Sequence, residues 1–305
     1  MASRFSAVAL GLAMALPAGP LWAYEGDVHQ QLTFIAARQY NRCAEDTHLA
    51  RLTSLQVRYV ALANANQAES PWWQRMFRWD YYDRGDQSAG RVMWLFETRM
   101  HDRYDSAIRR LNEARDLSRR FTNLGRVVNH VQDVTTPSQV APVFAMRWWR
   151  FSVADRFSTY PVNTGAVQRA LADDCTAIRG SDGTLATLLV DTADRTLDSI
   201  VEPIRGMPST WEAFWELDND LGEFGRYGDA GNNFGRDAKF DCTEDESRQC
   251  VLLARDPIYA EYARDRHLDA VKATIAAIAI VQEQFQAVAA LTAPPENTSP
   301  PSGPL

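Results

Sequence analysis

The sequence lacks a local cluster of basic residues and is acidic as a whole. Its 305 residues include 32 lysines and arginines against 39 aspartates and glutamates, so the formal net charge is −7 and the isoelectric point lies near 5.3. An acidic protein is repelled by phosphate backbones at long range, and binding to nucleic acid would need a basic patch. We therefore expect no bulk nucleic-acid binding.

Cysteine is scarce, and none of the four cysteines forms a C-x-x-C pair. This spacing argues against a zinc site built from cysteines. An even number of cysteines is instead typical of two disulfides in an oxidising compartment. Cys242 and Cys250 are the natural local pair and leave Cys43 with Cys175, although the other pairings of four cysteines stay open.

The N-terminal apolar run, Phe5 to Leu16, is too short to span a bilayer and follows a single positive charge. These features predict a secretory signal peptide over residues 1–23, cleaved after Ala23, so that Tyr24 begins the mature chain. An uncleaved membrane anchor is the alternative, but no stop-transfer pattern follows. We expect a periplasmic or secreted protein without a transmembrane segment after cleavage.

No run of the sequence alternates convincingly as a β-strand, whereas apolar residues recur at helical spacing along most of the chain. Hydrophobic residues make up 46% and charged residues 23%, as in ordinary globular proteins. We predict one all-α domain, a multi-helix bundle over residues 24–291, followed by a disordered tail over 292–305. The helical patterns cover about residues 28–36, 47–68, 89–117, 121–134, 164–178, 185–204 and 258–291.

Two short segments carry side chains that could bind metal. Tyr24 begins the mature chain, and His29 follows it five residues later. Residues 124–142 read LGRVVNHVQDVTTPSQVAP, in which Asn129 and Asp133 are four residues apart and share one face of a helix.

A third segment, residues 79–83, reads WDYYD. Together the three segments resemble the zinc-dependent phospholipase C and single-strand-specific nuclease superfamily of secreted, all-helical phosphodiesterases. In that superfamily an aromatic first residue binds zinc through its free amine and carbonyl, and the nuclease branch has a histidine ligand five residues later. The resemblance implies a metal site formed by the Tyr24 amine and carbonyl, His29 and Asp133. Only cleavage before Tyr24 creates that amine.

At other ligand positions this chain departs from the superfamily by having lost the imidazole. Within residues 124–142 the two histidine positions of the superfamily fall on Asn129 and Gln139, and His130 is one place out of register. A later His-x-x-x-acid pair is matched by Phe151 and Asp155 and so keeps only its acid. Glu69 matches the acid that serves as ligand and general base in the superfamily, and Asp80 is the alternative proton acceptor. The further metal ligands that the resemblance implies are Asp80, Asn129, Gln139 and Asp155.

The loss of imidazoles changes the expected cofactor. A divalent metal is implied, with zinc as the first expectation, but oxygen-rich sites favour Mg²⁺, Ca²⁺ or Mn²⁺. With metal present, the implied chemistry is metal-assisted attack of water on a phosphodiester, with Glu69 or Asp80 taking the proton. The alternative, weighed equally, is that the metals are gone and these polar residues satisfy one another.

We therefore expect a phospholipase C-like, metal-dependent phosphodiesterase that acts on a phospholipid or a small phosphate ester and contacts the membrane surface. Loops around Trp72 and Trp148 are the expected aromatic substrate contacts. One alternative is an inactive relative that binds lipid, an envelope component or a protein partner. Another is a single-strand nuclease.

Each candidate also has an ordinary structural explanation. His29 could be a surface histidine, and Asp133 could belong to a helix ion pair. His130 is expected to be hydrogen-bonded or solvated rather than a ligand. His101 and Asp105 are expected to form a solvent-facing pair.

Overall fold

The structure is a computed structural model that describes residues 24, 26–68, 81–85, 100–143, 155–179, 183–218, 225–242 and 248–292. These residues are mostly helical, which confirms the predicted fold class at that level. None of their helices combines the length and the apolar composition needed to cross a membrane. The predicted signal peptide, residues 293–305 of the predicted tail and both aromatic loops lie outside the described residues, whereas Thr292 is the last residue of a helix.

Nine α-helices occur in the described part of the chain, and the longest ends it. Three single-turn 3₁₀ helices also occur, at Ala44–Asp46, Phe157–Thr159 and Trp211–Ala213. The α-helices are α1 Gly26–Cys43, α2 Ser54–Ala68, α3 Met100–Glu113, α4 Leu117–Asp133, α5 Pro137–Val140, α6 Thr164–Ala170, α7 Thr176–Arg179, α8 Leu185–Val201 and α9 Pro257–Thr292.

Local sequence explains several helix boundaries. Asp116 caps α4, because its carboxylate accepts a hydrogen bond from the Arg119 amide. Thr184 and Thr187 form a reciprocal capping box at the start of α8. The predicted helix over 164–178 is two short helices, since the chain turns between α6 and α7.

The core is built where α1, α2, α4 and α9 pack together. The contact between α2 and α4 is close because Gly125 of α4 lies directly on the α2 backbone. A Cβ at Gly125 would lie 2.8 Å from the Ala63 Cβ and closer still to the Val60 carbonyl oxygen. A glycine here therefore sets the distance between two helices that both carry site residues.

The expectation of no β-strand was wrong for one short hairpin. Strands β1 Ala238–Asp241 and β2 Gln249–Leu252 pair antiparallel, with Phe240 opposite Cys250. Each strand has only four residues, which gives too short an alternation to stand out in the sequence. Buried and exposed residues nevertheless alternate along both strands.

Both predicted disulfides are confirmed. Cys242 and Cys250 cross-link the hairpin with a Cα–Cα distance of 5.2 Å. Cys43, at the end of α1, is bonded to Cys175 just before α7, with a Cα–Cα distance of 5.6 Å. Two disulfides are consistent with an extracellular protein.

Candidate functional site

His29 lies in the first turn of α1 with its side chain buried at 1% exposure. It is therefore not a surface histidine. The Tyr24 ring packs edge-on against the imidazole with the ring centroids 5.6 Å apart. Tyr24, just before α1, and His29, in its first turn, thus lie side by side in the core.

The His29 ring is oriented by Gln132 of α4. Its Nδ1 lies 2.7 Å from the Gln132 Oε1. The Gln132 amide nitrogen donates to the hydroxyls of Thr33 and Thr274, at 3.3 and 3.0 Å. The hydroxyls of Thr33 and Thr274 donate hydrogen bonds to main-chain carbonyls of α1 and α9, so each can only accept a hydrogen bond from Gln132. The Gln132 oxygen must face His29, and Nδ1 must carry the proton.

Asp133, the next residue of α4, faces the other nitrogen of the ring. The His29 Nε2 lies 3.1 Å from the Asp133 Oδ1, and the carboxylate side chain is 13% exposed. More than a hundred residues of sequence separate the two, and the packing of α1 on α4 brings them together.

Asn129, one turn before Asp133, has an amide whose orientation is also determined. Asn64 of α2 donates its amide nitrogen to Thr33 and Gln132, so its oxygen is the acceptor for Asn129. The Asn129 Nδ2 therefore donates at 3.1 Å to Asn64 and points a second hydrogen at the His29 Nε2, 3.3 Å away. This contact leaves the Nε2 as an acceptor.

The site thus holds a nitrogen lone pair against a carboxylate oxygen, with Nδ1 already protonated. Two acceptors 3.1 Å apart repel each other unless a cation lies between them. A proton would convert His29 to imidazolium and satisfy the pair, at the expense of the Asn129 contact. A metal ion is the other possibility, because zinc ligands lie about 2.0–2.2 Å from the metal and tetrahedral neighbours are then about 3.3–3.6 Å apart, slightly farther than the two atoms are here.

Tyr24 closes one side of this site. Its ring is fully buried between His29, Phe157 and His267, and its hydroxyl is 3.1 Å from the Thr135 Oγ1. Burial raises the pKa of the Tyr24 phenol far above its ordinary value, so it stays neutral. The Thr135 hydroxyl donates to the Gln132 carbonyl, which makes Tyr24 the donor in the bond between the two hydroxyls.

Asp155, another predicted ligand, is buried in a different hydrogen-bonding environment. Its carboxylate accepts hydrogen bonds from the Trp215 indole at 2.9 Å, the Tyr227 hydroxyl at 3.0 Å and the Phe157 amide at 2.9 Å. Burial raises the pKa of the Asp155 carboxyl, and the hydrogen bonds from Trp215 and Tyr227 oppose that rise. Three donors occupy the oxygens that a metal would need.

Gln139 and the segment that follows Asp80 meet at the end of α5. The Tyr82 amide donates to the Gln139 carbonyl at 2.9 Å, so residues 81–85 lie beside the C-terminal end of the 124–142 motif. The side-chain Oε1 of Gln139 is buried and has no hydrogen-bond partner among the described residues. Glu69 and Asp80, the predicted proton acceptors, lie outside the described residues.

The prediction for His101 was wrong. Its side chain is buried rather than solvent-facing, because the Tyr82 ring packs on it at 4.9 Å and its Nε2 lies 3.2 Å from the Asp83 carbonyl oxygen. Asp105 is exposed, as predicted. His130 is hydrogen-bonded, since its Nε2 lies 2.9 Å from the Gln67 amide nitrogen.

Sequence reasoning missed the amide and hydroxyl residues that hold His29 in place. Gln132 and Asn64 are buried, as are Thr33 and Thr274. The sequence held one signal for Gln132, because it stands three residues after Asn129 and so shares its helix face.

Another missed residue is His267 of α9, which is fully buried and has neither ring nitrogen hydrogen-bonded in the described part of the chain. Burial lowers the pKa of His267 to about 3.

The described residues contain no group of three or more His, Cys, Asp or Glu side chains that could share a metal ion. A metal at His29 and Asp133 would therefore need amide, main-chain or solvent ligands as well. Comparison with protein families, with curated proteins and with solved structures found no match to this chain.

Proposed function

We propose that the chain is an exported, metal-dependent phosphodiesterase of the phospholipase C type, acting on a phospholipid or a small phosphate ester in the periplasm or outside the cell. The observation that carries this proposal is the arrangement of His29 and Asp133. A protonated Nδ1 leaves the Nε2 lone pair 3.1 Å from a carboxylate oxygen, and a divalent cation satisfies both groups.

His29, Asp133 and the amine and carbonyl of Tyr24 would hold the cation. Gln132 orients the imidazole from behind, as the hydrogen-bond partners of metal-binding histidines do. Such an outer partner fixes which ring nitrogen is free to bind. Zinc is the first expectation for an imidazole and an amine, and Mg²⁺, Ca²⁺ or Mn²⁺ would suit a set richer in oxygen.

When bound, the metal would supply Lewis-acid activation and neutralise charge on the phosphate oxygens. The side chains proposed to accept a proton from the attacking water are Glu69 and Asp80. Asn129 and Gln139 are the remaining proposed ligands. Asp155, the other position that the resemblance implies, is left out of the set because its carboxylate already accepts hydrogen bonds from Trp215 and Tyr227.

The test is hydrolysis of a chromogenic choline phosphodiester and of single-stranded DNA by a chain that begins at Tyr24. We expect release of the chromophore with zinc or manganese present and no cleavage of DNA. The matched control is the same chain with Ala23 retained, in which the Tyr24 amine becomes an amide nitrogen and activity falls. Cleavage of DNA alone would favour a single-strand nuclease instead.

A second candidate function is non-catalytic binding of a lipid, an envelope component or a protein. The occupied oxygens of Asp155 favour it, as do the amides at positions 129 and 139. A folded chain that binds one cation but hydrolyses neither substrate would support this candidate and contradict the phosphodiesterase proposal.

A further inference from the structure

The outer surface of α1 and α2 exposes large apolar side chains. Phe34 is 48% exposed, Leu55 55% and Leu62 51%. The two leucines are seven residues apart on α2 and so lie on one face of that helix. Exposed apolar groups that cluster on one surface mark contact sites more often than single ones do.

The two helices run antiparallel and form a shallow groove between them. At one end the Asn41 side chain bonds to the Leu52 main chain, and at the other Asn64 donates to Thr33. A cavity of about 330 Å³ lies along this groove, lined among others by Phe34, Arg38 and Val57.

Positive charge lies beside these apolar side chains. Helix α2 has no acidic residue, and α1 has none after Asp27 in its first turn. Arg38 and Arg58 are exposed, and neither makes an ion pair within the part of the chain that the structure describes. Arg38 is four residues from Phe34 on α1, and Arg58 lies between Leu55 and Leu62 at spacings of three and four on α2, so both arginines adjoin the exposed apolar side chains.

We propose that this α1–α2 face, comprising Phe34, Arg38, Leu55, Arg58 and Leu62, docks the protein reversibly on an anionic phospholipid surface. Apolar side chains flanked by arginines match such a surface, since the side chains enter the acyl boundary while the guanidinium groups pair with lipid phosphates. The proposal goes beyond hydrolysis, because docking needs neither a bound metal nor catalysis.

The test is flotation of the mature chain with vesicles of phosphatidylcholine, alone or mixed with phosphatidylglycerol, in the presence of EDTA. We expect binding to the mixed vesicles that weakens at high salt. Arg38→Gln with Arg58→Gln should lower the partition coefficient about thirtyfold, since each arginine contributes roughly a fivefold factor. Leu55→Ser with Leu62→Ser should lower it by on the order of tenfold.

The matched control is Leu117→Ser with Leu253→Ser, at positions 62% and 63% exposed on other parts of the surface. Thermal melts confirm that each variant is folded.

The proposal is overturned if the wild type binds neither vesicle, if it binds neutral vesicles equally well, or if the control pair weakens binding as much as the α1–α2 pairs. Self-association that is lost in Leu55→Ser with Leu62→Ser would assign the face to a second copy of the chain instead. Loss of phosphodiesterase activity with intact flotation would leave this proposal standing.

Discussion

Asp133 and Asp155 are both candidate metal ligands by sequence position, yet their surroundings differ in kind. Asp133 faces the acceptor nitrogen of His29 at 3.1 Å, which leaves two acceptors in contact. Asp155 is surrounded by donors from Trp215, Tyr227 and the Phe157 amide. The Asp133 oxygen needs a cation or a proton between it and the His29 Nε2, whereas the Asp155 carboxylate is already satisfied by the fold.

The difference teaches that position in a motif does not decide what a buried carboxylate does. The neighbouring donors decide it, because a buried polar group is costly only when its hydrogen-bonding capacity is unmet. We therefore assign Asp133 to the candidate site and Asp155 to the stability of the fold.

The largest expected effect is on stability at Asp155. Replacing Asp155 by Ala leaves the Trp215 indole, the Tyr227 hydroxyl and the Phe157 amide without an acceptor in the core. We expect a loss of about 3–5 kcal/mol in the free energy of unfolding. Denaturant unfolding measures it, and metal content should not change.

Asp155→Asn is the milder companion variant. Its amide keeps one acceptor oxygen and the shape of the neutral carboxyl, so we expect a smaller loss than for Asp155→Ala. A drop in metal content for either folded variant would show that Asp155 is a ligand and would break the comparison.

Gly125→Ala should perturb the site by separating α2 from α4. The added methyl would clash with the Val60 carbonyl and Ala63, and overpacking of this kind costs about 1–3 kcal/mol. The gain in helix propensity, about 1 kcal/mol, offsets part of that loss. We expect a lower melting temperature together with weaker cation binding, since Asn64 on α2 moves with the helix.

The matched control is Gly165→Ala in α6. A Cβ there would meet only the Arg169 Nη1 at 3.4 Å and the Asn163 Oδ1 at 3.9 Å, which are ordinary contacts. We expect unchanged stability or a gain of up to about 1 kcal/mol. If Gly125→Ala and Gly165→Ala change the stability equally, Gly125 is not needed for the close packing of α2 on α4.

The smallest expected effect is the loss of stability on replacing Asp174, a third carboxylate, whose hydrogen-bond donors include the Lys272 ammonium. The hydrogen bond from the Lys272 ammonium, at 2.7 Å, is the main cause that holds the pKa of Asp174 well below its ordinary 3.8. A carboxyl with a lowered pKa stabilises the fold above its ordinary pKa, and this contribution is lost as the pH falls through the pKa of the folded state. Because the pair is partly exposed, Asp174→Asn should cost only about 1 kcal/mol at neutral pH.

Melting curves at several pH values check this sign. The gap between wild type and Asp174→Asn should be largest near neutral pH and should narrow as the pH falls below 3.8. A gap that is constant or that widens in acid would contradict the role given to Lys272.

The sequence could predict the helices that depend on a long apolar repeat, and it could not predict elements made by tertiary contacts. The bounds of helices α4, α8 and α9 lie within four residues of those predicted. The hairpin was missed because its strands are four residues long. His101 was misplaced because Tyr82, nineteen residues earlier in sequence, covers it only in the folded chain.

For the candidate site, a resemblance confined to three short segments predicted that His29 and Asp133 belong to one site. The structure places their side chains in contact. The hydrogen-bond partners of His29 and of Asp155 were not predictable. Gln132, Trp215 and Tyr227 take part through side-chain rotamers and helix packing, which local sequence patterns do not encode.

The most direct measurement of the central claim is calorimetric titration of zinc and of manganese into the mature chain, into Asp133→Asn and into Asp155→Asn. We predict at least one tightly bound cation per chain in the wild type, loss of binding in Asp133→Asn and full binding in Asp155→Asn. Asp133→Asn should also melt at a higher temperature than the metal-free wild type, because its amide can donate to the His29 Nε2. A folded wild type that binds neither metal would contradict the account, and so would equal binding by the Asp133→Asn variant.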